Sequence, residues 1–100
     1  MGIAYLEKPK QSYEELLRYV DFVDRIVTGD TIASCPITAA DEEGTDVTAT
    51  LITAGAITGT KVYYTLKGGT NGKVYKISFK AVSTAGSKPE EDLFVEVKDY

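Results

Sequence analysis

The feature of this sequence that most constrains its fold is a strict alternation of apolar and polar side chains near its end. The clearest run is apolar at Tyr75, Ile77, Phe79 and Ala81 and polar at the three positions between them. Successive side chains of a β-strand point to opposite faces, so this period of two predicts a strand with one buried face. A helix would need apolar residues three or four positions apart.

The same alternation recurs in shorter runs separated by turn-forming residues. The predicted strands cover residues 31–38, 47–51, 61–66, 75–81 and 93–98. The breaks between them are a polar turn at 41–44, glycines at 55 and 59, a Gly-Gly-Thr-Asn-Gly run at 68–72 and a loop at 85–89. Many short strands with frequent turns are typical of a β-sandwich, and the last two strands read as a hairpin with a longer loop.

The start of the chain fits two structures. Ser12 and Glu15 match a capping box, and apolar residues at helical spacing then predict an amphipathic helix over 13–27. The alternative is a strand over 19–23, with Val20 and Phe22 on one face.

Composition excludes several classes of function. The net charge of −4 argues against a nucleic-acid-binding face and against docking on anionic lipid. The chain has no histidine, the commonest general base and metal ligand. Its single cysteine, Cys35, cannot form an internal disulfide, and we expect it to be a small buried hydrophobe. Residues 1–8 lack the apolar run of a signal peptide, and no stretch is long enough to span a membrane.

Candidate chemical sites are weak, and we predict no catalytic, cofactor-binding or metal-binding residues. Ser78 and Lys80 share a strand face but have no catalytic motif around them. The glycine run at 68–72 lacks the ending of a phosphate-binding loop. The remaining charged candidates are acidic loops that could attract calcium and a set of lysines that could form a basic stripe. They are Asp41, Glu42, Glu43 and Asp46; Glu90, Glu91 and Asp92; and Lys61, Lys67, Lys73, Lys76 and Lys80. We expect solvated turns and a solubilised sheet face instead.

Two aromatic side chains are the more informative surface candidates. If Tyr64 faces the core, Tyr63 faces away from it, and Phe94 faces away if Leu93 and Val95 are buried. Tyrosine and phenylalanine are enriched at protein interfaces, so both are candidates for protein contact.

Two segments carry a resemblance to known families. Residues 72–81, followed by Ala85-Gly86, resemble the F strand and F–G turn of fibronectin type III and related immunoglobulin-like domains. Tyr75 then stands where such domains place a corner tyrosine whose hydroxyl bonds nearby backbone. Residues 19–22, 29–34 and 69–75 together resemble small immunoglobulin-like proteins of phage and prophage structural-gene clusters, with Phe22 where a tryptophan is more usual.

The resemblance implies an all-β, immunoglobulin-like β-sandwich of six to seven strands over residues 19–98. Residues 19–23 would be extended, and residues 1–18 would be an N-terminal extension, in which the capping box predicts a short helix over 12–18. It further implies a non-catalytic structural protein of a phage or prophage particle, in the head, neck or tail. Such a protein would be assembled in the bacterial cytoplasm and would contact other virion proteins or copies of itself. The alternative is a carbohydrate- or surface-binding accessory module of the same fold.

Overall fold

Strands dominate the chain, with one helical turn among the described residues. The computed structural model describes residues 4–6 and 9–99. The elements are β1 Ala4–Leu6, β2 Leu16–Asp21, β3 Ile32–Ser34, β4 Ile37–Ala40, α1 Thr48–Leu51, β5 Ile52–Thr58, β6 Lys61–Leu66, β7 Val74–Lys80, β8 Val82–Ser83 and β9 Glu90–Glu96. The prediction of an all-β fold is confirmed.

The strands form two larger sheets and a small one. One sheet has the order β1-β9-β7-β4, in which β1 runs parallel to β9 and the other pairs are antiparallel. The second has the order β2-β6-β5 and is antiparallel throughout. A two-stranded ladder joins β3 to β8. The predicted hairpin at the end of the chain is the β7–β9 pair.

The core lies where these sheets face each other. Tyr64 of β6 and Phe79 of β7 belong to different sheets, yet their ring centroids are 5.0 Å apart in an edge-on arrangement. Aromatic pairs prefer this geometry, in which a positive ring edge meets a negative ring face. Both side chains are almost completely buried, so the contact ties one sheet to the other. The alternation in β6, β7 and β9 supplies six more of the buried core residues: Val62, Leu66, Tyr75, Ile77, Leu93 and Val95.

The helical interpretation of residues 12–27 is wrong, and the alternative, extended backbone over 19–23, is confirmed for residues 19–21. Leu16–Asp21 is a strand, and each of its six residues pairs with β6. Val20 and Phe22 are buried on one face, as the strand interpretation requires. Pairing with β6 satisfies the backbone hydrogen bonds of this segment and buries Val20, although Leu17 and Val23 of the helical period stay exposed. Long-range pairing therefore overrides the local helical pattern. The chain turns after β2, at residues 23–25.

The predicted boundary between the N-terminal extension and the folded domain, at residues 18 and 19, stays a prediction. β2 runs across this position. Residues 1–3, 7 and 8 of the predicted extension lie outside the described residues. The expectation that residues 1–8 are not a signal peptide therefore falls largely on residues that are not described. Within residues 4–6 and 9–99, no helix is long and apolar enough to cross a membrane.

Three predicted strand boundaries are also corrected. The predicted strand at 47–51 contains the helical turn α1. The predicted strand at 31–38 is two strands, because it breaks at Cys35 and Pro36 and proline has no N–H to donate to a ladder. Gly55 lies inside β5 and not at its end, at a bulge between Ala54 and Ile57. A Cβ at Gly55 would lie 2.8 Å from the carbonyl oxygen of Tyr63, so only glycine fits this close approach.

Candidate docking surface

An aromatic pair lies on the outer face of the β2–β6–β5 sheet. Val20, Val62 and Tyr64 are buried on the inner face, so alternation turns Tyr19 and Tyr63 outward. Tyr19 and Tyr63 are directly opposite each other in the ladder, with ring centroids 5.4 Å apart and planes tilted by 46°. The sequence therefore predicts the orientation of Tyr63 correctly.

Leu17 and Lys61 extend this pair into a surface that we call the outer patch: Leu17, Tyr19, Lys61 and Tyr63. The exposed fractions of Leu17 and Tyr19 are 69% and 52%, and Tyr63 is half-buried. The Nζ of Lys61 lies 5.0 Å from the centroid of the Tyr19 ring, within cation–π range. Two paired strands hold these side chains, so little order has to be gained when a partner covers them.

Exposed apolar side chains concentrate around β2. Among the described residues, the exposed large apolar side chains are Tyr13, Leu17, Tyr19, Val23, Val27 and Ile57. Leu17 and Tyr19 lie on β2 itself, and Tyr13 and Val23 lie within three residues of its ends. Apolar surface gathered in one region of a protein marks a contact site more often than single scattered residues do. The arrangement suits burial against another protein surface.

The second predicted contact residue, Phe94, lies on the other large sheet. It is half-buried on the outward side of β9, opposite Lys76 of β7 and opposite Leu6 of β1 in the ladders. Its predicted outward orientation agrees with the structure. Tyr63 and Phe94 nevertheless face opposite sides of the molecule and cannot form one surface.

The first acidic segment is used to shape its own turn. Asp41 accepts backbone hydrogen bonds at one carboxylate oxygen from Glu43 and Thr45, each at 2.9 Å. Asp46 accepts from the Thr48 N–H at 2.9 Å and from the Thr48 hydroxyl at 2.6 Å, and these bonds lower its pKa. Nowhere in the described part of the chain do three or more histidine, cysteine or acidic side chains gather as a metal site would require.

The second acidic segment is not a loop but the start of β9. Glu91 is buried and bonded to the Arg25 guanidinium at 2.8 Å. Burial raises the pKa of Glu91, and the nearby Arg25 opposes that rise without cancelling it. Asp92 is also buried, 3.9 Å from the Nζ of Lys76. Glu91 lies opposite the buried Phe79 on the inner face of its sheet, and Asp92 lies opposite Ser78 on the other face.

The candidate basic stripe is divided between the two sheets. Lys61 is on β6, whereas Lys76 and Lys80 are on β7 of the opposite sheet. Ser78 lies between the two β7 lysines on the outward face, opposite Asp92. Among the described residues, Lys61 therefore lies on a different sheet face from Lys76 and Lys80.

Cys35 is half-buried at the break between β3 and β4. Burial raises the pKa of its thiol to about 11. At neutral pH the thiol is therefore protonated and a weak nucleophile, in agreement with the sequence prediction that nothing lowers its pKa.

The glycine run at 68–72 connects β6 to β7, and its Gly68 carbonyl oxygen binds the side chain of Lys10. Lys10 is fully buried, and its Nζ donates to the carbonyl oxygens of Gln11 at 2.7 Å and Gly68 at 2.6 Å. Burial lowers the pKa of this lysine. The Thr70 N–H donates to the Tyr75 hydroxyl at 2.9 Å, so Tyr75 bonds nearby backbone as the resemblance implied.

Sequence reasoning missed three of these residues. Leu17 and Tyr19 fell within the predicted helix or at its edge, and the period-two alternation of Leu17, Tyr19 and Asp21 was the signal that could have found the outer patch. Lys10 had no signal, because a lysine is rarely fully buried and its partners are backbone oxygens.

A family model matches most of the chain. The family model described as podophage GP4 fiber-tail adaptor protein gp77 matches residues 10–96. A comparison with curated proteins found no match.

Proposed function

This chain belongs to the family of the podophage GP4 fiber-tail adaptor protein gp77, and on that premise we propose that it joins fiber and tail in a phage or prophage particle. It acts by binding other virion proteins and not by catalysis. We further propose that it is made in the bacterial cytoplasm and becomes part of the virion there.

The observation that carries this proposal is the extent of the family match. Residues 10–96 include every strand except β1, and with them the whole outer patch. The family favours an adaptor over the carbohydrate-binding module that the sequence left open. The phage-like motifs at residues 19–22, 29–34 and 69–75 all lie inside the matched region.

We also propose that the fold is of the immunoglobulin type. Immunoglobulin constant domains pair strand B with E and E with D in one sheet, and C with F and F with G in the other. The orders β2-β6-β5 and β4-β7-β9 are consistent with these pairings if β2 is taken as strand B. The hydroxyl of Tyr75, bonded to the Thr70 N–H, supports the assignment of β7 as strand F.

The outer patch is the surface that we propose for docking. An adaptor must present a stable face to a neighbour, and the outer patch combines exposed leucine and tyrosine with one lysine on paired strands. Aromatic side chains dominate the energy of many protein interfaces. Binding through the outer patch leaves the core undisturbed, because the core side chains lie on the inner face of the sheet.

The test uses particles from a phage that lacks this gene and is supplied with the chain in trans. Mass spectrometry of purified particles should find the chain. The variant Leu17→Ser/Tyr19→Ser should incorporate about tenfold less, the loss expected from about 1.4 kcal/mol of contact energy. Val27→Ser is the matched control, since Val27 is as exposed as Leu17, at 71% against 69%, but lies outside the outer patch.

Absence of the chain from wild-type particles would refute the virion assignment. Normal incorporation of Leu17→Ser/Tyr19→Ser would refute the outer patch as the docking surface. Thermal unfolding of each purified variant confirms that a lost particle signal does not come from misfolding.

A further inference from the structure

The free edge of β5 is the least protected edge in the described structure. β5 is the last strand of its sheet and has β6 as its one hydrogen-bonded neighbour. Every residue from Thr53 to Gly59 is exposed, and β3 approaches only the end of this stretch, where the Ile32 N–H donates to the Gly59 carbonyl oxygen at 2.9 Å. An uncovered edge presents N–H and C=O groups that can pair with another strand.

This edge also lacks the charge that usually blocks such pairing. No charged residue occurs from Val47 to Thr60, although 26% of the whole chain is charged. β2, the opposite edge of the same sheet, carries Arg18 and Asp21. β4, at the edge of the other large sheet, has only four residues. Charges and short length are common protections of natural edges, and β5 has neither.

The bulge makes the pattern of β5 symmetric about its own centre. Before the bulge, Thr53 lies opposite Thr65 and Ala54 opposite the buried Tyr64. After the bulge, Ile57 lies opposite the buried Val62 and Thr58 opposite Lys61. Residues opposite each other in a ladder share a face, so the order is outward, inward, bulge, inward, outward.

A two-fold axis through the bulge therefore matches the strand with a second copy of itself. In this antiparallel arrangement, Ala54 of one copy faces Ile57 of the other on the inner side, and Thr53 faces Thr58 on the outer side. Cross-strand threonine pairs and aliphatic pairs are favourable. A register one residue away would set inward residues against outward ones.

The paired segment carries no charge of its own. The nearest charges along the chain are Asp46 before the uncharged segment and Lys61 after it. The central residues add no like-charge contact, despite a net charge of −4 on each copy.

We propose that a second copy of this chain pairs with the β5 edge, with Thr53 opposite Thr58 across a two-fold axis. The two β2–β6–β5 sheets then form one continuous six-stranded sheet with two outer patches. This pairing uses a different surface from the proposed docking function and can be tested without a phage.

The first test compares two charge variants of the full chain by sedimentation velocity over a range of concentrations. Thr53→Lys/Thr58→Lys sets lysine against lysine twice in the proposed pair, whereas Thr53→Lys/Thr58→Glu sets lysine against glutamate twice. We expect the first variant to stay monomeric and the second to dimerise at least as well as the wild type. Non-specific charge repulsion predicts the opposite order, because the first variant reduces the net negative charge.

The second test reads the register directly. In a Cys35→Ser background, Thr53→Cys and Thr58→Cys are purified separately and oxidised alone or mixed. Directly opposite strand residues lie about 5 Å apart between Cα atoms, within disulfide reach. We expect a cross-linked dimer from the mixture and none from either variant alone, because like positions are about 17 Å apart in this register.

A wild-type chain that stays monomeric at every concentration, with no cross-link in the mixture, would overturn the proposal. So would cross-linking of Thr53→Cys with itself, since that outcome requires a different register. Circular dichroism of each variant checks that the sheet is intact, and Ala33→Cys on the exposed side of β3 reports random collision.

Discussion

Tyr19 and Tyr63 occupy directly opposed positions on β2 and β6, and their rings meet on the outer face of the sheet with centroids 5.4 Å apart. The pair does two things at once. It stabilises the β2–β6 ladder, and it leaves one tyrosine ring more than half exposed to solvent. A surface that is already ordered by its own pairing is well suited to recognition by another protein.

The ladder contribution of this pair can be measured separately from any docking role. We expect a double-mutant cycle on Tyr19→Ser and Tyr63→Ser to give a coupling free energy of unfolding of about 0.5–1 kcal/mol, because aromatic cross-strand pairs contribute in that range. Urea unfolding of the four proteins provides the measurement. A coupling of zero would mean that the two rings do not interact in solution.

Gly55 should tolerate no side chain. The Cβ of Gly55→Ala would lie 2.8 Å from a backbone oxygen of Tyr63, and backbone cannot move aside as a flexible side chain can. We expect a loss of about 1–3 kcal/mol in the free energy of unfolding, the usual cost of overpacking. Ala56→Ser, at the exposed neighbour, is the control and should change stability by less than about 0.5 kcal/mol. An unchanged Gly55→Ala midpoint would contradict the bulge geometry.

Tyr75→Phe isolates the bond between the tyrosine hydroxyl and the Thr70 N–H. Removing the acceptor leaves a partly buried donor unpaired, so we expect about 1 kcal/mol of destabilisation. Chemical unfolding measures it, and faster amide exchange at Thr70 should accompany it. Tyr13→Phe, at a side chain 95% exposed, should have almost no effect. Equal stability of Tyr75→Phe and the wild type would remove this tyrosine as an anchor of the glycine run.

The buried Glu91 should give the protein a distinctive pH dependence. Burial raises the pKa of Glu91 above its usual 4.5, so the folded chain binds this proton more tightly than the unfolded chain. The stability that this proton contributes is fully present below pH 4.5 and is lost as the pH rises through the folded pKa. We expect Glu91→Gln to flatten this decline, measured by urea unfolding at a series of pH values. Glu43→Gln, at an exposed turn, is the control, and an identical pH slope for wild type and Glu91→Gln would show that Glu91 does not titrate in this window.

The alternation of β6 and β7 could be read from the sequence because their fully buried side chains lie on one face only. The side chains of β6 alternate between the outer and the inner face without interruption from Lys61 to Leu66. The same rule predicted the outward orientation of Tyr63 and Phe94. Sequence position could not show that these two residues lie on opposite sheets, because strand pairing is set by long-range contacts.

The errors arose where local and long-range terms compete. The segment from Ser12 to Val27 has both a helical period and a capping box, yet pairing with β6 makes Leu16–Asp21 a strand. The bulge at Gly55 depends on the close approach of Tyr63, which no local pattern shows. The burial of Lys10 depends on the carbonyl oxygen of Gly68, 58 positions along the chain.

Site-specific photocross-linking in assembled particles tests the central claim most directly. A photoreactive phenylalanine analogue would replace Tyr19, and the same analogue at Thr38, exposed on β4 of the other sheet, would serve as the reference. We predict that the Tyr19 position cross-links to a fiber or tail protein, identified by mass spectrometry of the purified particle. Particles in which the Thr38 position cross-links to such a protein and the Tyr19 position does not would contradict the assignment of the outer patch as the docking surface.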